Sequence, residues 1–296
     1  MGLNRSGADK KHSKDGKEKL CAILSGEDHE GISDMGWLKA WGMSMAFLVA
    51  GPSVAHEYWI EPLDFTVAPD AQMMAFLKVG SEFKGSTFPY IPPQFQSFTI
   101  THDGVTADYI GQVGDSPALQ VATPEAGLNI LAYHSIPNRL SYRDPELLET
   151  YLKAEGLERV LEAHRAAGLP EVGITEDYTR NAKALVQVGA YSGGADQALG
   201  LPFELVVQGS PYAPDTEQVR LQLLWQGKPM PDYPINVFTK GREIAQTRVQ
   251  TDAGGFVDVP FPETGIVMMN SVHIARTPEG ETPFYKSFWA SMTFGR

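Results

Sequence analysis

Seven histidines occur in the chain, and His56 is the one whose position could create a metal chelate by itself. Ser53-Val54-Ala55 has the small-x-small pattern that signal peptidase reads. Cleavage after Ala55 would leave His56 with a free α-amine beside its own imidazole Nδ1. Together the two nitrogens close one chelate ring, so a single further nitrogen completes a T-shaped site. Such a site suits Cu(II) or Ni(II), which favour planar nitrogen ligands. An unperturbed α-amine titrates at about 7.7–8.0 and is readily deprotonated by a metal near neutral pH.

The third ligand must come from the body of the chain. His273 follows the strand-like run Ile266 to Val272, and alternation turns it to the opposite side from Val272 and Ile274. His134 ends the run Leu128 to Tyr133. The candidate metal ligands are therefore His56, His273 and His134. His102 precedes the turn Asp103-Gly104, and His164 lies at helical spacing, so both read as surface or packing residues. The pairs Met73-Met74 and Met268-Met269 read as core filling, because neighbours on a strand face opposite ways. Glu57 and Glu61 could supply oxygen ligands. No spaced carboxylate pair or serine-nucleophile motif is present. Trp59, Trp225 and Trp289 read as core anchors.

These residues need an exported, strand-built frame. Met35 to Ala55 reads as a signal peptide: Lys39 in the n-region, an apolar stretch Ala40 to Ala50, then Gly51-Pro52. The apolar stretch is too short to cross about 30 Å of hydrocarbon, so no membrane anchor is expected after cleavage. Residues 1–34 are polar and of mixed charge; they read as a disordered leader or as an over-extended start, with Met35 the true one. Cys21, the only cysteine, lies upstream of the cleavage site. The mature chain therefore has neither a disulfide nor a thiolate ligand. A net charge of −12 argues against nucleic acid as a partner, since phosphate contacts need a basic surface.

The mature chain reads as mainly β, with two immunoglobulin-like β-sandwich domains and a helical insertion. Residues 56–200 form the first sandwich, with a helical segment at about 145–185, in which Tyr178 to Val188 reads as another helix or a long strand; residues 201–296 form the second. Short runs such as Met74 to Gly80 and Phe95 to His102 are strand-sized, and Asp103-Gly104 reads as a hairpin turn. Pro145 opens a helix with Leu148, Tyr151 and Leu152 on one face. Thr251-Asp-Ala-Gly-Gly-Phe256 reads as a turn into a strand.

Several segments together carry a family resemblance. They are Ala55-His56-Glu57-Tyr58-Trp59-Ile60-Glu61-Pro62, Val79 to Gly85, Tyr151 to Leu157, Tyr178-Thr-Arg180-Asn-Ala-Lys183-Ala-Leu185, the Gly-Gly-Phe turn and the tail Phe288 to Phe294. The chain resembles a bacterial exported family catalogued as a domain of unknown function and at times labelled nickel-transport-associated. That resemblance implies a periplasmic or secreted protein and an accessory role in nickel or copper uptake, with a membrane metal-uptake system as partner. A copper-dependent oxidase built on an N-terminal histidine brace is the enzymatic alternative. A structural or adhesion β-sandwich module without metal is the other. The export reading yields a direct expectation. Protein expressed with its signal in a Gram-negative host has His56 as its first residue by Edman sequencing; an uncut chain contradicts this.

Overall fold

The structure, a computed structural model, describes residues 56–296. The leader and signal peptide expected at 1–34 and 35–55 lie outside the described residues. In chain order come β1 (Glu57–Pro62), β2 (Thr66–Val67), β3 (Met73–Ser81), β4 (Lys84–Phe88), β5 (Phe95–His102), β6 (Val105–Asp108), β7 (Leu119–Val121), β8 (Gly127–Ser135) and β9 (Asn138–Tyr142). Two helices follow, α1 (Pro145–Ala154) and α2 (Glu158–Ala166), and then the long β10 (Ile174–Val188). The remainder is β11 (Phe203–Val207), β12 (Gln218–Trp225), β13 (Lys228–Pro229), β14 (Pro234–Lys240), β15 (Ile244–Gln250), β16 (Phe256–Pro260), β17 (Ile266–Arg276) and β18 (Tyr285–Gly295). The protein is mainly β.

A ten-stranded central sheet runs β15-β14-β17-β18-β10-β8-β5-β6, with β2 and β9 also pairing with β10. β10 and β18 run parallel, from Glu176 opposite Tyr285 to Ala184 opposite Thr293. The boundary expected near residue 200 is therefore crossed by this sheet, since β10 precedes it and β18 follows it. One face of the sheet is covered by β11, β12, β13 and β16. There Phe203, Leu205, Leu221 and Leu223 share a core with Val267, Met269, Met292 and Phe294. The other face carries the sheet of β1, β3, β4 and β7, whose Ile60, Met73 and Leu77 pack with Leu131, Ala182, Ala184 and Val186. β1 is fastened to β18 by two hydroxyls: Ser291 Oγ donates to the Tyr58 carbonyl at 2.6 Å and Thr293 Oγ1 to the Ile60 carbonyl at 2.6 Å.

The helices cover the neighbouring part of that second face. Asp144 caps α1, its Oδ1 accepting from Glu146 N at 2.9 Å, and Pro145 sits where no amide proton is needed. Leu148, Tyr151 and Leu152 face inward. Gly156 ends the turn after α1 at φ +71°, which a side chain would strain, and a Cβ there would meet Arg248 at 3.0 Å. The helical segment expected at about 145–185 stops at Ala166, and Ile174–Val188 is a strand. From Asn181 to Val188 every residue of β10 is buried. Such a run has no alternation to distinguish a two-face-buried strand from a helix, and pairing along both edges overrides the helical preference of its alanines and lysine.

On the face turned to β11, Lys183 is sealed at 1% exposure. Its Nζ reaches Asp196 Oδ1 at 2.8 Å and Glu204 Oε1 at 3.1 Å, and donates to the Gln197 carbonyl at 2.9 Å. The carboxylates are saturated in turn by backbone amides: Val207 N to Asp196 at 2.8 Å and Leu199 N to Glu204 at 2.8 Å. Removing one partner of such a buried set leaves uncompensated charge and costs about 3–5 kcal/mol. Lys183→Met is expected to lower the unfolding free energy by about that amount in urea titration. A loss below about 1 kcal/mol, the size of an exposed pair, contradicts the reading.

Candidate functional site

The structure places the three histidines expected to form a metal site apart. His56 is half-buried just before β1, on the face of the sheet that carries the β1–β3 layer. His273 faces the other way, as strand alternation requires. Its Nδ1 lies 3.2 Å from Tyr233 Oη and its ring 4.3 Å from that of Trp225, with Phe203 and Phe288 close by. Burial, and then Arg159, push its pKa down to about 4. His134 lies on β8, separated from β17 by β10 and β18, so three strand spacings of about 4.8 Å put about 14 Å between their positions. His134 Nε2 accepts from Gln96 Nε2 at 3.4 Å, and burial lowers its pKa. Among the described residues, no group of three or more His, Cys, Asp or Glu side chains is placed to hold a metal ion.

The other residues singled out have structural places. His164 is fully committed: Nε2 donates to the Pro170 carbonyl at 2.9 Å, so Nδ1 accepts from Tyr285 Oη at 2.7 Å. Met268 packs with Trp59, Phe83 and Phe238, while Met269 lies in the opposite core. His102 Nδ1 donates to the Leu128 carbonyl at 3.2 Å.

A polar crevice lies instead where α1 meets the central sheet. Leu140, Tyr142, Tyr151, Glu176, Tyr178, Arg180 and Trp289 line it. Tyr142, Tyr151 and Trp289 form a stack, with centroids 6.3 Å apart at 6° and then 5.5 Å apart at 10°. The Arg180 guanidinium carbon lies 4.1 Å from the Trp289 ring centroid and 4.9 Å from that of Tyr178. Arg180 Nη1 and Tyr151 Oη are both sealed from solvent and have no hydrogen-bond partner. Leaving a buried donor unmade costs about 1–3 kcal/mol, more when it is charged.

Three buried carboxyls surround this arginine electrostatically, yet each is held by other donors or stands off. Glu176 Oε2 accepts from Tyr142 Oη at 2.6 Å and Oε1 accepts from Ser287 Oγ. Glu155 Oε2 accepts from Asn236 Nδ2 at 3.0 Å and Asn270 Nδ2 at 3.2 Å. Glu57 is buried and its Oε2 has no partner. Burial raises the pKa of all three, and Arg180 opposes the shift; Glu57 and Glu155 are each pushed up to about 7. Arg180 itself is lowered by burial.

A larger cavity of about 260 Å³ lies between the β5–β6 turn and the segment around Gly194. Its lining includes Leu128, Ile130, Ala195 and the exposed Asp103.

The Arg180 crevice was hidden in a segment whose residues carried the family resemblance. Tyr178 to Leu185 holds two cations, Arg180 and Lys183, in a strand-length segment without an acidic residue, and that pattern was the signal. A family model described as "Domain of unknown function (DUF4198)" matches residues 53–275. The chain belongs to this family. The description gives no activity and makes no mention of nickel. The match includes Glu57, Glu155, Glu176 and Arg180 and stops short of Ser287 and Trp289. No curated protein matches. Among solved structures, the D0–D1 domain of intimin aligns at 10% identity over 80% of this chain and 97% of that one, with a TM-score of 0.19. A tetra-tandem repeat in the extending region of a large adhesion protein aligns at 8% identity over 81% of this chain and 49% of that one, with a TM-score of 0.18. Scores of that size carry no argument about function.

The raised Glu155 has a consequence for stability. Its carboxyl binds a proton more tightly folded than unfolded, so the unfolded chain ionises first as pH rises. Stability linked to this group is full below about 4.5 and falls until about 7. At 1.36 kcal/mol per unit the loss is about 3 kcal/mol. Glu155→Gln is expected to flatten the decline in unfolding free energy between pH 5 and 8, read by urea titration at each pH. An unchanged slope contradicts the assignment.

Proposed function

We propose that the protein is an exported, non-catalytic ligand-binding module whose ligand enters the crevice at Arg180. The observation that supports this is the sealed Arg180 Nη1 without a partner, set in a crevice walled by three stacked aromatic rings. A purely structural arginine in this position would gain from pairing with Glu176, which the fold instead commits to Tyr142 and Ser287. Export is the signal-peptide reading of Met35 to Ala55, and no described helix is long and apolar enough to cross a membrane. The test is a thermal-shift screen of mature wild type and Arg180→Gln against a panel of neutral, cationic and anionic small molecules. A ligand at one hundred times its Kd stabilises the folded state by about 2.7 kcal/mol. Compounds that stabilise wild type and lose their effect in the variant are expected; a screen without any such compound removes the proposal.

A second reading keeps the metal. His56 stands half-buried directly before Glu57, so cleavage after Ala55 would place a free amine and an imidazole together at the edge of the fold. We propose that this pair chelates Cu(II) or Ni(II), with ligands other than His273 and His134 completing the shell. In this reading the partner is a membrane metal-uptake system, and the copper-oxidase alternative depends on the same chelate. Cleaved wild type is expected to bind Cu(II) or Ni(II) more tightly than both His56→Ala and a variant with one alanine added before His56, by calorimetric titration. Equal affinity in all three removes the chelate and the oxidase alternative with it.

A further inference from the structure

We infer that the Arg180 crevice recognises a terminal carboxylate group, seated on the donor edge of Arg180 and on the Tyr151 hydroxyl. This rests on the crevice being a binding site at all, and it adds the chemical class of what binds.

The argument begins with which polar atoms are left over. Two side-chain atoms lining the crevice are buried without a hydrogen bond of ordinary geometry, Arg180 Nη1 and Tyr151 Oη, and both can donate; Tyr151 Oη also stands near Glu176 and Ser287. The acceptors in the same lining are spoken for: both Glu176 oxygens already receive hydroxyl protons, from Tyr142 and Ser287. A site with surplus donors and satisfied acceptors calls for an acceptor. A cation would meet the guanidinium charge, and the one lining carboxylate already receives two hydroxyl protons.

The aromatic rings narrow the choice further. Trp289 and Tyr178 lie at 4.1 Å and 4.9 Å from the guanidinium carbon. Contacts of this kind hold the group without using its N–H bonds, so directional bonding is left to the edge. A planar fork of donors matches the two oxygens of a carboxylate in a bidentate pair. Among the described residues no ion pair involves Arg180, although Glu176 and Glu155 are close enough to influence its charge. Each is tethered elsewhere, so the arginine's fork is left without a paired carboxylate.

Size sets how much of the ligand is enclosed. The space within the crevice is about 20 Å³, room for about one water-sized group. One carboxylate oxygen fits within it, with the second oxygen and the remainder of the molecule lying towards Leu140 and Tyr178, which are half-buried. The head belongs either to a small free acid or to the C-terminus of a peptide, and both present the same two oxygens.

The experiment uses the mature exported protein, with binding followed by tryptophan fluorescence and calorimetry. The probes are acetate, benzoate and an acetylated tetra-alanine peptide with a free C-terminus. Their counterparts are acetamide, benzamide and the same peptide amidated, with inorganic phosphate as a further anion. At least one acid is expected to bind saturably and about tenfold or more tighter than its amide, a difference of about 1.4 kcal/mol. Tighter binding of the peptide than of both free acids identifies a C-terminus as the source; the reverse identifies a small acid. Arg180→Lys, which keeps the charge and loses the fork, and Tyr151→Phe are each expected to weaken the acid and leave the amide unchanged. Equal binding of acid and amide overturns the carboxylate assignment while the crevice remains a site. Phosphate binding tighter than every acid overturns it too. If none of the acids binds, the assignment fails; the broader panel above then decides whether the crevice binds anything. The acid–amide comparison on wild type stands even where a variant fails to fold.

Discussion

A single ammonium group buried between two carboxylates holds the two halves of the chain in register. Lys183 sits near the middle of β10, the strand that pairs with β18 and then β2 along one edge and with β9 and β8 along the other. Its partners Asp196 and Glu204 belong to the segment that leaves β10 and to β11. The covering sheet of β11, β12, β13 and β16 is therefore fixed to the central sheet where it begins. The Asp196 and Glu204 oxygens also terminate the amides of Gln197, Leu199, Leu201 and Val207. The irregular stretch before β11 is thus hydrogen-bonded to charge rather than to a neighbouring strand. Desolvating three charges is unfavourable, and complete pairing offsets that cost.

Arg180 makes the contrast, three residues earlier on the same strand and on its opposite face. Lys183 finds two carboxylates; Arg180, with three buried carboxyls around it, pairs with none. The difference lies in the neighbours. Tyr142 and Ser287 hold Glu176, and the amides of Asn236 and Asn270 hold Glu155. One strand thus carries a closed charge cluster on one face and an arginine without a paired carboxylate on the other.

The helical hairpin exists to roof that open side. α1 supplies Tyr151 to the stack and, just past its end, Glu155 to the two asparagines. Gly156 then lets the chain turn sharply while Arg248 from β15 closes over it, donating to the Ala154 carbonyl. Three distant stretches of sequence converge here: β1 with Glu57, the α1 turn with Glu155, and β14–β17 with Asn236 and Asn270. None has a local reason to be polar, and each is explained by the others.

Local chemistry in the sequence determined much of the scaffold. Asp103 and Gly104 turn the β5–β6 hairpin with φ of 47° and 75°, as a tight turn with two left-handed residues requires. Asp144-Pro145 starts α1, and alternation correctly puts His273 on the side away from Val272 and Ile274. The family membership was also carried by short segments spread along the chain. Alternation, however, gives a side of a strand and never says what covers that side. His273 was expected beside His56, yet its face packs against β11 and β12 while β1 crosses the other. Only the tertiary structure decided that Ile174–Val188 is a strand, because both its faces are buried and a doubly covered strand has no period to read. Only the tertiary structure decided, too, that Arg180 is unpaired. Whether a charged side chain meets a partner depends on residues far away in sequence, here 142, 151, 287 and 289, and on the donors that reach its potential partners first.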